Sequence, residues 1–422
     1  MLVLLVSANT ERANMVPLPL GMSLVAAATR RAGHEVACID LLGSPDPLAA
    51  LRAAIQRVQP EVIGVSVRNI DDQNRESPRF LLAQVKTVVD ECRACSNAPL
   101  VLGGAGYSIF PDEVLAYLGA DFGVASDGEI VFPALLQRLQ RGEDPRGLPG
   151  VHAAGSEAAP PAPPAELDSL PLWDESLAQA ADPSNPELWV PVQSRRGCPN
   201  DCSYCSTWRI QGRTIRCRSP RLVAEAVARF AAVGFTRFYF VDNSFNIPEA
   251  HALELCRHLA ALPTPITWRC IVYPHLVREE LVTAMAGAGC VEVSLGFESG
   301  SPRVLREMNK RFLPEDVRAA ANLFKAHGIR RMGFLLLGGP GETRASVEES
   351  LAFAESLGLD SLRITVGIRI YPGTPLARCA LAEGVIANEN ELLFPHFYLA
   401  PGLEPWLHER VTAGVSALPS CS

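Results

Sequence analysis

The stretch RRGCPNDCSYC, residues 195–205, sets Cys198, Cys202 and Cys205 in a C-x3-C-x2-C spacing. The apolar run WVPVQS (189–194) precedes it, so the three cysteines fall on a loop that leaves a strand. Three thiolates this close on one loop can hold three irons of a cubane iron–sulfur cluster. The fourth iron is then left without a ligand from the motif. Four-cysteine clusters are mainly electron carriers, whereas an iron left open offers a position to substrate. A structural zinc ion is the alternative, but zinc favours C-x2-C pairs completed by a further Cys or His. No histidine lies between His152 and His251, and Cys217 is the nearby thiol that could complete a zinc set.

Downstream, five more apolar runs follow: FYFVDN (238–243), TWRCIV (267–272), VEVSLGF (291–297), MGFLLLG (332–338) and SLRITVG (361–367). Helical patterns separate them near Leu222–Ala232, Ala250–Leu259, Arg278–Ala286, Pro314–Ala326 and Ala345–Leu357. With WVPVQS they make six βα units, too few for an eight-unit barrel, so residues 189–387 are expected to form a partial (β/α)6 barrel. A short tail, 388–422, carries LLFPHFYLAP and a helix near Glu404–Ala413.

Upstream, residues 143–188 include the Pro- and Ala-rich GSEAAPPAPPAE (155–166) and are expected to be an interdomain linker. Residues 1–142 alternate LVLLVSA, HEVACID, VIGVSV, PLVLGG and DFGVAS with helical segments near Leu18–Ala32, Pro47–Val58, Pro78–Cys95 and Phe110–Leu118, then FPALLQRL. This alternation predicts an α/β, doubly wound, flavodoxin-like domain. Ligands would bind beyond the carboxyl ends of its strands, at Ser7–Asn14, Ser66–Asn74, Gly103–Tyr107 and Ser126–Glu129. No G-x-G-x-x-G follows the first strand, which disfavours a dinucleotide.

Formal net charge is −8, which argues against a nucleic-acid binder. No apolar run reaches the ~18 residues of a membrane span. The opening MLVLLVSANTER lacks a basic leader region and is expected to be a buried strand in a cytoplasmic protein. Twelve cysteines in so long a chain do not suggest a disulfide framework, and the Cys92–Cys95 pair falls on a helix as an incidental spacing.

The cysteine motif, with Tyr204 just before its third Cys, resembles the signature of the radical S-adenosylmethionine (SAM) superfamily. The resemblance continues over about residues 190–384. Glu298 and Ser299 in SLGFESGSPRVLREMNK (294–310) are similar to the strand that contacts the SAM ribose. LLLGGPGET (335–343), with Gly338, Gly339 and Gly341, resembles the turn that contacts the adenine. Asp242 stands where the family places a polar residue after its second strand, and IYPGTPL (370–376) resembles the segment after the sixth. The resemblance implies a [4Fe–4S] cluster whose open iron chelates SAM and whose electron cleaves it to a 5′-deoxyadenosyl radical.

The N-terminal domain resembles the cobalamin-binding domain fused to a large radical SAM class, through residues 17–40, LVLGGAGYSIFPDEVL (100–115) and ASDGEIVFPALLQRL (125–139). This implies cobalamin contacts at Ser66, at Gly103, Gly104 and Gly106, and at Asp127, Gly128 and Glu129. Ser126 and Asp127 depart from the family's G-E-G-E segment. The loop Ser7–Gly21 has no histidine to ligate cobalt. Arg68 in VSVRNIDDQN is similar in placement to a residue of the radical SAM tryptophan methyltransferases, which implies a cation under the corrin; an ion pair with Asp71 or Asp72 is the alternative.

The function these resemblances imply is cobalamin-dependent methyl transfer to a carbon centre of a small-molecule, peptide or lipid substrate, with a reductase such as a flavodoxin or ferredoxin as partner. Cyclisation or rearrangement without methyl transfer is one alternative, and a non-catalytic cobalamin or redox sensor another. Retention of the SAM segments and the lack of a DNA-binding signature favour an enzyme. Tyr204, Trp208, Trp268, Tyr273, Phe397 and Tyr398 are expected mostly to pack the core.

Overall fold

A run such as LVLLVS, apolar at every position, suits a strand covered on both faces, which a parallel sheet between helices provides. The computed structural model, which describes residues 1–11, 18–162, 164, 166–173 and 181–415, places it so. Strands β1 (Leu2–Ser7), β2 (Glu35–Asp40), β3 (Val62–Ser66), β4 (Leu100–Gly103) and β5 (Phe122–Val124) are parallel in the order β2-β1-β3-β4-β5. That is the flavodoxin-like order, in which strand order reverses between β1 and β3. Met22 and Ala26 of helix Leu20–Arg31, with Phe132, Leu135 and Leu136 of helix Gly128–Gln140, pack on Val3, Leu5, Val62 and Val101. Helix Pro47–Val58 starts where the sequence placed it, because the Asp46 side chain accepts from the Ala49 N–H and Pro47 fills the first helical position.

Some boundaries differ from expectation. The third long helix begins at Leu82, not Pro78, and a short helix, Ala105–Ile109, precedes Pro111–Leu118. The larger correction concerns the expected linker. Within it, β6 (Val151–Ala153) is a buried strand antiparallel to β5, and Leu167 and Trp173 are buried. The first compact unit, Met1–Asp72 with Pro78–Leu188 and Thr207–Gly212, therefore includes this segment. Proline and alanine enrichment reports missing helical periodicity, not missing burial, and three residues are too short to show a pattern.

The second unit comprises Gln73–Ser77, Trp189–Ser206 and the chain from Arg213 on. Its sheet holds β7 (Val190–Val192), β10 (Arg237–Phe240), β11 (Thr267–Val272), β12 (Cys290–Glu298), β13 (Arg330–Leu337) and β14 (Ser361–Val366), all parallel, each beside its predecessor in this series. This is the open sheet of a partial (β/α)6 barrel. Two short antiparallel pairs flank it, β8 (Arg195–Arg196) with β9 (Arg216–Cys217), and β15 (Ile368–Arg369) with β16 (Phe397–Tyr398). Phe238, Phe240, Trp268, Cys270, Val293, Leu295 and Leu337 on one face of the sheet are fully buried. The alternating residues on the other face, among them Tyr239, Arg269, Ile271, Met332 and Phe334, remain partly exposed. The tail packs into this unit, with its helix at Trp406–Val415 and not from Glu404. Among the described residues no helix is long and apolar enough to cross a membrane.

Candidate functional site

The cysteine loop is built from the end of β7 outward. Asp242, just past β10 and 1% exposed, accepts from the Ser194 N–H at 2.9 Å, the Ser194 hydroxyl at 2.6 Å and the Arg195 N–H at 3.1 Å. Burial pushes its carboxyl up, and those donors pull it back. Arg195, also buried, donates to the Ser244 carbonyl at 2.7 and 3.0 Å and to the Gly197 carbonyl at 2.8 Å. Gly197 has φ +90°, and a Cβ there would lie 2.0 Å from the Thr214 carbonyl oxygen. Beyond it, the Ser203 N–H donates to the Met308 carbonyl at 3.1 Å, and the Leu376 N–H donates to the Ser203 carbonyl at 2.9 Å. Backbone bonds from two distant segments thus hold the loop between Cys202 and Cys205.

Cys198, Cys202 and Cys205 are partly exposed and form no disulfide. Burial raises the Cys202 thiol, and nearby Lys310 opposes that. As the side chains stand, no three Cys, His, Asp or Glu groups among the described residues converge closely enough to hold a metal ion. Cys217 sits across from Arg195 in the β8–β9 pair, where burial raises its thiol. The donor chemistry, three thiols on one pinned loop, fits a cubane with one iron left open.

At the end of β12, pairing with β13 slips between Gly296 and Glu298, and Glu298 has φ +62°. A left-handed non-glycine residue costs of order 1–3 kcal/mol and persists where surrounding contacts fix it. Here the Lys310 ammonium lies 3.1 Å from Glu298 Oε1, with the two side chains 5% and 13% exposed. The same ammonium sits 5.2 Å over the Tyr204 ring. Burial alone would lower Lys310, but Glu298, then Tyr204 and Cys202, outweigh it and hold the ammonium well above the lysine range. Burial, then Glu298, raises the Tyr204 phenol. Lys310 was not singled out by its sequence position, although it closes the same SPRVLREMNK stretch.

Other expected SAM contacts take different parts. Ser299 is fully buried; its hydroxyl lies 2.8 Å from that of Ser350 and accepts from the Ser301 N–H. It is consumed in shaping the turn, so we assign it that role instead of a ligand contact. Asp242 likewise positions backbone. Gly338 and Gly339 turn their N–H groups onto the Glu342 carboxylate, at 3.0 Å for Gly339. A Cβ at Gly338 would strike the Leu399 side chain at 2.4 Å, and one at Gly339 the Met308 side chain at 2.9 Å. Gly341, at φ +71°, lies beside Arg303.

Glu342 Oε1 is buried without a partner, and burial raises this carboxyl from 4.5 to about 7 against the pull of the two N–H groups. An acid raised on folding stabilises most when protonated. Its contribution is complete below about 4.5 and is lost as pH rises to about 7, up to roughly 3 kcal/mol. Urea unfolding at pH 5 and pH 8 is expected to show this loss, and Glu342→Gln to flatten it; an identical slope in the variant would assign the pH dependence elsewhere.

In the first unit, Ser7, Asp40 and Ser66 end β1, β2 and β3 at the point where strand order reverses. Burial raises the Asp40 carboxyl, while Ser7, the Leu42 N–H and Arg68 lower it. Asp40 is an addition to the expected site. Arg68 is exposed and lines a small open cleft with Ala8, Asn9 and Asn69. Of the alternative partners Asp71 and Asp72, Asp72 binds Arg79 at 3.0 Å. Gly104 and Gly106 face inward: a Cβ would come within 2.5 Å of the Val67 carbonyl oxygen at the first and 3.0 Å of the Arg68 carbonyl oxygen at the second. Internal packing against the segment that follows β3 already demands glycine at 104 and leaves little room at 106, whereas Gly103 has ordinary clearance. Asp127 and Glu129 are buried around the start of helix Gly128–Gln140. In the loop without histidine, residues 12–17 lie outside the described residues.

The B12 binding domain family matches residues 7–136, and the radical SAM superfamily matches residues 192–354. The chain is 25% identical over 379 residues to an uncharacterised methyltransferase of Pyrococcus horikoshii, covering 88% of this chain and 80% of that one. It is 24% identical to the tryptophan 2-C-methyltransferase of Streptomyces laurentii, covering 86% and 72%. Its fold is that of the radical SAM methyltransferase TsrM from Kitasatospora setae, with TM-score 0.85, 23% identity and coverage of 99% and 88%. With the flavodoxin-like order in the first unit and the three-thiol loop on a partial barrel in the second, the chain carries a B12-binding domain followed by a radical SAM domain.

Proposed function

We propose that the protein transfers a methyl group from SAM, by way of cobalamin, to a carbon centre of a small-molecule, peptide or lipid substrate. The observation that carries this reading is the pairing, in one chain, of the pinned three-thiol loop beside Glu298 and Lys310 with the cleft at the strand-order reversal of the B12-binding domain. When bound, the cluster supplies one-electron chemistry and cobalamin carries the methyl group. Cys198, Cys202 and Cys205 would hold three irons, and Asp242 and Arg195 would hold the loop that bears them. Glu298 would accept from hydroxyls of SAM, with Lys310 fixing its carboxylate, while Tyr204 and the turn at Gly338, Gly339 and Gly341 would border the same ligand. Ser66, Arg68, Gly103 and the Asp127–Glu129 segment would border cobalamin. A cytoplasmic reductase of the flavodoxin or ferredoxin class would supply electrons.

Anaerobic incubation with SAM and a reductant is the test. 5′-Deoxyadenosine, or S-adenosylhomocysteine when cell extract supplies a methyl acceptor, should accumulate beyond one equivalent per chain, and failure of both would refute catalysis. Changing Cys198, Cys202 and Cys205 together to Ala should remove iron and brown colour while cobalamin remains. Retention of about four irons per chain would refute the cluster assignment.

Arg68 carries a separate prediction. A guanidinium stays protonated and offers no lone pair to a metal. Arg68→Ala is expected to keep iron and cobalamin, to slow methyl transfer, and to move the Co(II) electron paramagnetic resonance spectrum toward a five-coordinate form. Unchanged spectra with normal turnover would remove Arg68 from the mechanism.

A further inference from the structure

The partly exposed face of the barrel sheet carries a polar layer that none of these roles uses. Tyr239, Arg269 and Glu292 are neighbours in register across β10, β11 and β12. The Arg269 guanidinium lies 4.5 Å from the Trp189 ring centre and 4.9 Å from that of Tyr239. Its nearest carboxylate oxygen, on Glu292, is 3.8 Å away, too far for a hydrogen bond. Glu292 is also 3.7 Å from Arg330, so two cations share it without bonding to it closely. Arg269 Nε is buried with no partner, although the side chain as a whole is only 19% exposed. Burial lowers the Arg269 guanidinium, Glu292 opposes that, and nearby Arg363 adds to the lowering. A planar fork of five donors, held by two aromatic rings and unbonded to any acceptor, is built for bidentate capture of an anion.

We propose that this layer binds the anionic head, carboxylate or phosphate, of an extended substrate whose body lies along the same sheet face toward Glu298. Ile271, Met332 and Phe334, partly exposed on that face, supply apolar lining. Glu292 and Glu298 are six residues apart on one strand, roughly 20 Å at about 3.3 Å per residue. A head held at Arg269 therefore leaves room for an apolar body before the strand ends. The proposal rests on the methyl-transfer reading for what happens at the far end of that body.

The test is calorimetric titration of the reconstituted full chain with octanoate, octyl phosphate and 1-octanol. At least one anion should bind about tenfold or more tighter than the alcohol, and the better of the two anions identifies the head group. Arg269→Met should abolish the preference. Glu292→Gln, which removes the competing carboxylate, should tighten the preferred anion several-fold, a gain that misfolding cannot produce. If the alcohol binds as tightly as both anions, or the preference survives in Arg269→Met, the proposal is overturned. If Arg269→Met does not fold, Glu292→Gln decides alone, and absence of a gain overturns it. These titrations need no turnover, so a failure of SAM consumption would remove the methyl-transfer reading and leave the anion result standing.

Discussion

Lys310→Met is expected to cost the second unit about 3–5 kcal/mol, the usual loss when one member of a buried ion pair is removed. The side chains of Lys310 and Glu298 are 5% and 13% exposed, so the stranded carboxylate cannot recover its hydration. Methionine preserves most of the stem, which isolates the charge from packing. Glu298 has φ +62° at a slipped register, so the loss of its partner also releases a strained strand end. SAM binding should weaken along with stability. In Lys310→Met combined with Glu298→Gln, stability should largely return while SAM binding should not, because the neutral amide needs no counter-charge but is a poorer acceptor. Urea unfolding and equilibrium dialysis with SAM measure the two separately. A stability loss below about 1 kcal/mol would place the pair with solvent-exposed salt bridges and remove its positioning role.

Gly197→Ala should have the other large effect. Positive φ alone costs an alanine roughly 1–2 kcal/mol. The added Cβ would also lie 2.0 Å from the Thr214 carbonyl oxygen, and that obstacle is backbone, which cannot rotate aside. The chain must move at the residue before Cys198, and Arg195 loses the Gly197 carbonyl it binds at 2.8 Å. Iron content after reconstitution should fall to a small fraction of the parent's, while cobalamin uptake by the first unit continues. Gly212→Ala is the control: it too has positive φ, 78°, but a Cβ there meets nothing within 4 Å. Equal iron loss in both variants would trace the effect to backbone preference and not to the loop's close approach to Thr214.

The local signals in the sequence settled a good deal. C-x3-C-x2-C lies on one loop, so spacing alone presents three thiols together. Apolar runs such as LVLLVS become strands because a sheet covered by helices needs no polar alternation, whereas the barrel strands alternate a buried with a partly exposed face; both the six barrel strands and the five parallel strands of the first unit were legible as short apolar-rich runs between helical segments. The strand ends that carry Ser7, Ser66, Asp242 and Glu298 follow from the same pattern.

Which groups at those ends remain available was decided by tertiary structure. Ser299 meets Ser350 across 51 residues and is consumed there. Gly104 and Gly106 closely approach Val67 and Arg68, just past β3, before any ligand is considered. Lys310 meets Glu298 only because the chain turns back through Asn309, at φ +54°, and Asp40 joins Ser7 and Arg68 only because β2 lies beside β1. Arg269, flanked by Trp189 just before β7 and Tyr239 of β10, has no signature at all in its own neighbourhood. Sequence spacing reports the partners that a residue has along one element. Burial, counter-charge and the loss of competing hydrogen bonds depend on elements far apart in the chain, and they determine which of two similar side chains is left free to bind.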